Sequence, residues 1–547
     1  LIAIATFISL NKSGEKKTAE DYFLAGRSLP WWAIGTSLIA ANIAADQIIG
    51  MNGDAYAMGI AIATYEWTAA IALIVVGKFL LPVYLKQKVF TMPQLLSQRY
   101  DQTVSTMLAI LMLIMYVMVI LPTILWLGAK AVNNLTGLEL IPAMILLGLL
   151  SLAYSLYGGL KAVAVSDTLN GIGLLIVGIA IPLLGFHALG EGSVLGGLTT
   201  VVTSETEKLN AIGTADDPTP FATLFTGMIF ANLFYWCANQ YVIQRTLAAR
   251  NLAEGQRGVL LSGFFKVLVP MLMMLPGVIA FHLYGNRLET IDLAYPQLVR
   301  DVLPSYAWGF FLAVLLGAVF SSFNSLLNSA ATLFCLDVYE PLAARTLTDT
   351  ERVSVAKRAS VAIALFSFAV APMLQHASEG LWQVIRIFTG FYNIPVIAIV
   401  VVGLFTTRVP AVAAKVVIVF HVVSYGCLQF LFKEQLPLHF LHLYAILFVI
   451  EVSIMLVLGW WRPRRAAWTF HRRDTLDLSP WRYAIPCAVS LLSCVVALYL
   501  LFSPVGLVGG VGPWFAPLLS LLLLANAGIW WAFVRGYWRA DGMVEKT

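Results

Sequence analysis

The chain has 547 residues, of which 60% are hydrophobic and 12% charged, with a formal net charge of +5. A soluble protein averages about 45–50% apolar and about 25% charged residues, so water cannot be the solvent for most of this surface, whereas lipid can. The basic excess is spread over many short loops, which excludes a concentrated nucleic-acid patch.

The apolar residues arrive in blocks long enough to cross a bilayer. About 30 Å of hydrocarbon needs roughly 20 helical residues at 1.5 Å each, and the alternating ten-residue segments of barrel strands are missing. The first ten residues, LIAIATFISL, are too short to span. With Leu1 in first place they read as the end of a truncated N-terminal helix, and no charged stretch or cleavage site marks a signal peptide. Spans are predicted at 31–51, 60–84, 104–129, 139–157, 163–189, 219–244 and 258–283. They continue at 304–336, 357–375, 382–407, 410–432, 438–460, 484–503 and 512–534.

One set of loops holds Lys12, Lys16, Lys17, Arg27, Lys86, Lys88, Arg99, Lys161, Arg245, Arg250 and Arg257, and later the cluster Arg462, Arg464, Arg465, Arg472, Arg473 and Arg482. The opposite loops hold only Lys130, Lys208, Arg287, Arg300 and Lys433. Basic residues stay on the cytoplasmic side, so the first set is cytoplasmic.

In chain order, the span 31–51 is interrupted by Asn42, Asp46 and Gln47. The span 60–84 carries Glu66 between Tyr65 and Trp67, and Lys78 near its cytoplasmic end, where a lysine snorkels to the interface. Asp167 opens the span 163–189 and reads either as a helix N-cap or as a cation ligand. Residues 190–218, rich in Gly, Ser and Thr, form a flexible periplasmic loop in this reading. The sixth span, 219–244, is interrupted by Asn232, Asn239 and Gln240. Two broken spans five helices apart are the pattern of an inverted-repeat transporter, although Asn and Gln also join helices to one another.

Lys266 and Arg386 complete the ionisable groups predicted to lie within the bilayer. Such groups are costly there and mark function by default. A carboxylate beside aromatic rings suits a pyranose, which offers hydroxyls at its edge and C–H groups on its face. The alternative is that Glu66 only pairs with Lys266. Ser321, Ser322, Asn324, Ser325, Asn328 and Ser329 crowd the eighth span, and hydroxyls with freed carbonyls are the oxygens a hard cation needs. Small side chains that let helices approach are the simpler account. The segment 461–483 reads as a cytoplasmic loop facing anionic headgroups. The five cysteines have no CxxC spacing, and the seven histidines lie mostly near span ends, so no nucleophile, base or metal cluster suggests an enzyme.

The segments EDYFLAGRSLPWWAIGTSLIAANIAADQIIGMNG, YEWTAAIALIVVGKFLLP, YGGLKAVAVSD, ANLFYWCANQYVIQRTLAA and SSFNSLLNSAATLFCLDVYE together resemble the sodium/solute symporter family, over about residues 18–410. The resemblance is nearest to its sodium/glucose and bacterial sodium/galactose cotransporters. It implies an all-α polytopic membrane protein with a five-plus-five inverted-repeat (LeuT-type) ten-helix core plus peripheral helices. Residues 1–30 would then hold the truncated helix end and a cytoplasmic loop, 31–189 the first repeat, 190–218 the periplasmic loop, 219–409 the second repeat, and 410–547 peripheral helices.

By position, the resemblance implies a sodium ion at Ala40, Ile43, Ala318, Ser321 and Ser322. A second sodium is implied at Asp167 and Ser325, against which Asn324 stands where a hydroxyl is common. It implies solute contacts from Gln47, Glu66, Asn232, Lys266 and Trp236, an inner gate at Tyr235, and an outer gate at Met51, Tyr65 and Trp382. Two positions depart from the sugar pattern: Ala69 replaces a hydroxyl-bearing residue, and Arg386 stands where a Gln is usual. The planar guanidinium suits a carboxylate, so a sugar acid stands beside galactose or glucose as the expected solute. The alternative account of Arg386 is pairing with Glu66 or Asp46. The implied protein is a symporter in a bacterial inner membrane, surrounded by lipid, with a monomer sufficient for the cycle. A passive channel or a transporter-like sensor is the competing class.

Overall fold

In the computed structural model, residues 18–43, 46–213, 219–343, 345–376, 381–435, 438–469 and 476–536 are described, some by backbone alone. Among them the chain is helical throughout, apart from one bridge between Leu29 and Ala249. Eleven helices are long and apolar enough to cross a membrane, and one bent pair makes a twelfth. The preference has a physical cause: hydrocarbon offers no hydrogen bonds, so a spanning backbone must satisfy its own groups.

The bent pair is α1 (Trp31–Asn42) and α2 (Gln47–Met58), which meet at 66°. Pro30 caps the start of α1, and Ile43 leaves helical geometry at its end with ψ 81°. Helices α3 (Ile60–Gln87) and α4 (Gln102–Asn133) follow. Each contains a π turn, Val76–Leu80 and Tyr116–Ile120, just before Pro82 and Pro122. A proline has no N–H to give the preceding turn, which loosens the ladder there.

Helix α5 (Leu140–Leu189) is continuous over 50 residues. The sequence analysis expects two spans here with a loop between them. The stretch between them, which includes Gly158 and Gly159, continues the helix, and apolar helix is found at Leu140–Leu152 and Asp167–Leu189. Asp167 therefore lies inside a helix, and the N-cap reading fails. Residues 190–213 also differ from the flexible loop expected. Ser193 caps α6 (Val194–Thr203) by accepting from the Gly196 amide at 3.1 Å, and Lys208 donates to the carbonyls of Tyr56 and Ala57.

The second break is where the sequence places it. Helix α7 (Gly227–Cys237) stops, Ala238 and Asn239 leave helical geometry, and α8 (Gln240–Leu247) resumes. The remaining helices are α9 (Leu252–Tyr284), α10 (Ala294–Val302), α11 (Ser305–Leu342), α12 (Asp349–Leu374), α13 (Leu381–Phe405), α14 (Ala411–Leu431), α15 (Phe440–Trp461), α16 (Ala484–Leu501) and α17 (Phe515–Val534). Helix α1 packs on α5 and α9, α5 on α11, and α7 on α3, α13 and α15, so both broken elements sit centrally. At the periphery α16 leans on α9, while α17 touches α16 and buries no residue.

The segment 461–483 is docked on protein over its described parts. Arg464 and Trp468 donate to the carbonyls of Arg99 and Gln98, and the Leu252 amide donates to the Asp477 carbonyl. Arg99, 1% exposed, is the hub of this surface. Its guanidinium caps the end of α13, donating to the carbonyls of Gly403, Thr406 and Val409 at 2.8, 2.9 and 3.2 Å. Replacing Arg99 by Met strands three buried carbonyls, each costing about 1–3 kcal/mol. The unfolding temperature of Arg99→Met in detergent is expected to fall by several degrees, and an unchanged value rules out this role.

Candidate solute and sodium sites

Glu66 faces inward from the first turn of the α-helical part of α3 and is 3% exposed. Gln47, at the start of α2, donates to its Oε1 at 2.9 Å. Its Oε2 pairs with the Nζ of Lys266, which projects from the middle of α9. The pairing weighed from sequence therefore exists, and two buried charges compensate each other as a low-dielectric site requires. Lys266 also donates to Asn42 Oδ1 at the broken end of α1, and its ammonium lies 5.2 Å from the Trp236 ring centre.

From Asn42 the bonding continues toward the second break. The Asn42 amide donates to the Tyr235 hydroxyl at 2.7 Å, and that hydroxyl pairs with the hydroxyl of Tyr241. The Tyr241 carbonyl accepts from Arg245 Nη1 at 2.5 Å. Arg245 is fully buried, 3.0 Å from the Asp167 carboxylate, although the sequence analysis assigns it to a cytoplasmic loop. A two-turn helix, α8, follows the break and carries the side chain back into the protein. Counting from the break rather than from the end of the apolar block would have placed it there.

Asp167 is the second charged centre. Its Oδ2 accepts from Ser37 at 2.6 Å and from Arg245, and its Oδ1 accepts from Ser321. Ser325 accepts from Arg245 at 2.5 Å and donates to the Ser321 carbonyl at 2.6 Å. The residues considered for a second sodium are thus brought together, with a guanidinium among them. Beside them Ser322 donates to the Ala41 carbonyl at 3.3 Å, one of the carbonyls left over where α1 ends. Ala40 and Ile43 flank that position on α1, and Ala318 lies one turn before Ser322 on α11; all are buried. Neutral hydroxyls and helix-end carbonyls are donors that fit an alkali cation.

A cavity of about 570 Å³, mouth included, is lined by Asn42, Gln47, Tyr235, Asn239, Tyr241, Ser322, Arg386, Thr389 and Asn393. Both helix breaks contribute to it, through Asn42 on one side and Asn239 on the other. Arg386 enters it from α13, with its guanidinium 5.2 Å from the Tyr65 ring centre and 5.9 Å from that of Tyr235. Glu66 and Lys266 lie behind Gln47 and Asn42 rather than in this lining. Asn232 bonds its own helix, donating to the Met228 carbonyl at 3.3 Å. Met51 and Tyr65 are buried, while the side chains of Asp46 and Trp382 lie outside the described residues. Tyr241, Thr389 and Asn393 were not picked out by sequence, because uncharged polar residues beside a helix break or within an apolar helix carry no spacing signal of their own.

Comparison with known proteins follows the same lines. The model of the sodium:solute symporter family matches residues 22–417. An uncharacterized symporter, YidK, of Escherichia coli (strain K12) is 38% identical, covering 100% of this chain and 96% of the relative. A sodium/glucose cotransporter of Vibrio parahaemolyticus is 34% identical over 83% of this chain and 87% of its own. Among solved structures, a Na+-coupled sialic acid symporter in a substrate-bound outward-open state superposes with a TM-score of 0.76. That match has 21% identity and covers 85% of this chain and 97% of that one. The nucleobase-cation-symport-1 transporter Mhp1 gives 0.53 at 14% identity, covering 80% and 95%. The fold is therefore the LeuT type, and the chain is a multi-pass protein of the inner membrane.

Breaking one partner of a buried ion pair costs about 3–5 kcal/mol, whereas replacing both is close to neutral. Lys266→Met is accordingly expected to lower the unfolding temperature sharply, and Glu66→Gln/Lys266→Met to recover most of the loss. Equal stability of the single variant and the unsubstituted protein, by thermal unfolding in detergent, contradicts the pairing.

Proposed function

The chain belongs to the sodium:solute symporter family and couples solute movement to sodium, and from that premise we propose that it imports a hexose, such as galactose or glucose, by alternating access. The observation that carries this reading is the Gln47–Glu66–Lys266 set. Its charges cancel, and its ammonium lies 5.2 Å from the centre of the Trp236 ring. A neutral pyranose needs that combination of polar edge and aromatic face. The Vibrio parahaemolyticus relative, named a sodium/glucose cotransporter, supports the same class.

In this reading Gln47, Glu66, Asn232 and Lys266 meet hydroxyls, Tyr235 and Trp236 cover the ring, and Met51, Tyr65 and Trp382 close the outer side. Sodium binds the oxygens at Ala40, Ile43, Ala318, Ser321 and Ser322. Its charge draws the end of α1 toward α11 and holds Asn42 and Gln47 in place for the solute. Loss of sodium to the cytoplasm relaxes α1, frees the Asn42–Tyr235 bond and lets Tyr235 swing aside. Each sodium entering contributes about 2.3 kcal/mol per 100 mV of membrane potential, besides its concentration gradient. A second sodium at Asp167 and Ser325 competes with Arg245, whose guanidinium already bonds both side chains.

A second reading is favoured by Arg386. Its fork lies in the cavity between Tyr65 and Tyr235, where a carboxylate of a sugar acid would be held bidentately.

Uptake into proteoliposomes separates the readings. A sodium gradient is expected to drive accumulation of D-galactose or D-glucose at least tenfold over a potassium control, and uptake indifferent to sodium defeats the symport reading. With Arg386→Gln, hexose uptake is expected to persist. Preferential uptake of D-galacturonate by the unsubstituted protein, lost in Arg386→Gln, selects the sugar acid instead.

A further inference from the structure

Helices α14 and α15 lie outside the ten-helix core, yet they carry a buried acid–base pair. His421 and Glu451 are both fully buried, with Nδ1 and Oε1 2.5 Å apart. The other ring nitrogen of His421, Nε2, lies 3.0 Å from the Gly390 carbonyl of α13. A carbonyl only accepts, so Nε2 carries a proton, and the Nδ1–Oε1 contact then holds exactly one more. The pair is neutral overall whether that proton sits on the imidazole or on the carboxyl, which suits its surroundings.

Two tyrosines repeat the contact one turn earlier on α13. Tyr425 donates to the Ile387 carbonyl at 2.8 Å, and Tyr444 donates to the Arg386 carbonyl at 2.6 Å. The His421 and Tyr425 rings stack with centres 5.5 Å apart. Gly390 makes the approach possible, since a Cβ there would stand 2.5 and 2.6 Å from the two tyrosine hydroxyls. Three side-chain donors from the periphery therefore grip the backbone of residues 386–390. The grip sits just before Pro395, whose missing N–H leaves the Phe391 carbonyl without its helical partner and makes α13 easy to bend.

We propose that His421, held by Glu451, and the tyrosines Tyr425 and Tyr444 are positioning residues that fix the α13 backbone so that Arg386 points between Tyr65 and Tyr235 in the solute cavity. The proposal rests on Arg386 contacting the solute, through the solute's carboxylate in the sugar-acid reading or through a ring hydroxyl in the hexose reading, where a glutamine can take its place. The role of Glu451 is to hold the His421 ring with Nε2–H aimed at Gly390, and a side-chain amide can do the same by donating to Nδ1. A proton-carrying role, in contrast, needs the carboxyl itself.

The test uses the full-length protein in proteoliposomes and nanodiscs. His421→Leu/Glu451→Met removes the His421 donor of the grip without leaving a lone buried carboxyl. It is expected to raise KM for D-galactose or D-galacturonate, whichever is transported, about tenfold, with maximal rate and half-saturating sodium within twofold. Glu451→Gln is expected to stay within twofold on all three. In an Arg386→Ala background the double substitution should add nothing further to KM. Backbone hydrogen exchange of the 384–394 segment, which needs no solute, should quicken in the double variant and not in Glu451→Gln. Unchanged exchange, an additive KM effect, or a Glu451→Gln defect as large as that of the double variant each overturns the proposal. An Arg386→Ala protein with unaltered KM instead removes Arg386 from the solute site, while the exchange result still decides whether the grip exists.

Discussion

Hydrocarbon accepts no hydrogen bonds, so each backbone group released where a membrane helix breaks must find a partner inside the protein. The centre of this molecule is organised around that constraint. At the end of α1 the Ala41 carbonyl takes the Ser322 hydroxyl. At the break between α7 and α8 the Cys237 carbonyl takes the Tyr84 hydroxyl at 2.7 Å, and the Asn239 side chain takes that of Tyr116. Gln240 then ties the Met92 amide and the Phe90 carbonyl to the same place. Polar residues that look out of place in apolar spans are there because the breaks need them. The breaks in turn leave oxygens for an ion to use.

Between the two breaks the bonding is continuous. It runs from Glu66 through Lys266, Asn42, Tyr235, Tyr241 and Arg245 to Asp167 and Ser321. One end is the Glu66–Lys266 pair and the other reaches the serine pair of α11. Coupling requires that occupancy at one site change the contacts at the other. Here α1 supplies both, because Ala41 meets Ser322 while its neighbour Asn42 meets Lys266 and Tyr235. A shift of that helix end by one bond length alters both contact sets together.

Much of this architecture is legible in the sequence, since span length, loop charge and the two interrupted spans follow from solvation alone. Glu66 and Lys266 are also legible, because two opposite charges in apolar spans have few other ways to be stable. Arg245 was misplaced because a short helix after the second break returns it to the interior. His421 passed unnoticed because a lone histidine in an apolar helix gives no sign of a partner thirty residues away on α15. The Gly- and Thr-rich residues 190–213 form helix where composition suggested a loop, with a serine cap and Val and Leu contacts outweighing the turn-forming residues. The unbroken α5 was missed because Gly158 and Gly159 read as a loop, although the helix runs through them. Arg386 was singled out by its departure from a sugar pattern, but only the structure shows it between two aromatic rings.

The guanidinium of Arg245 can also be viewed as a cation on a tether. It neutralises Asp167 in this structure, so the region beside the serine pair presents no bare negative charge to the membrane interior. A carrier must reorient empty as well as loaded, and the empty passage is the one in which an unmatched carboxylate would be most costly. With its own counter-ion in place, Asp167 adds no net charge to this part of the protein when no other ion is bound.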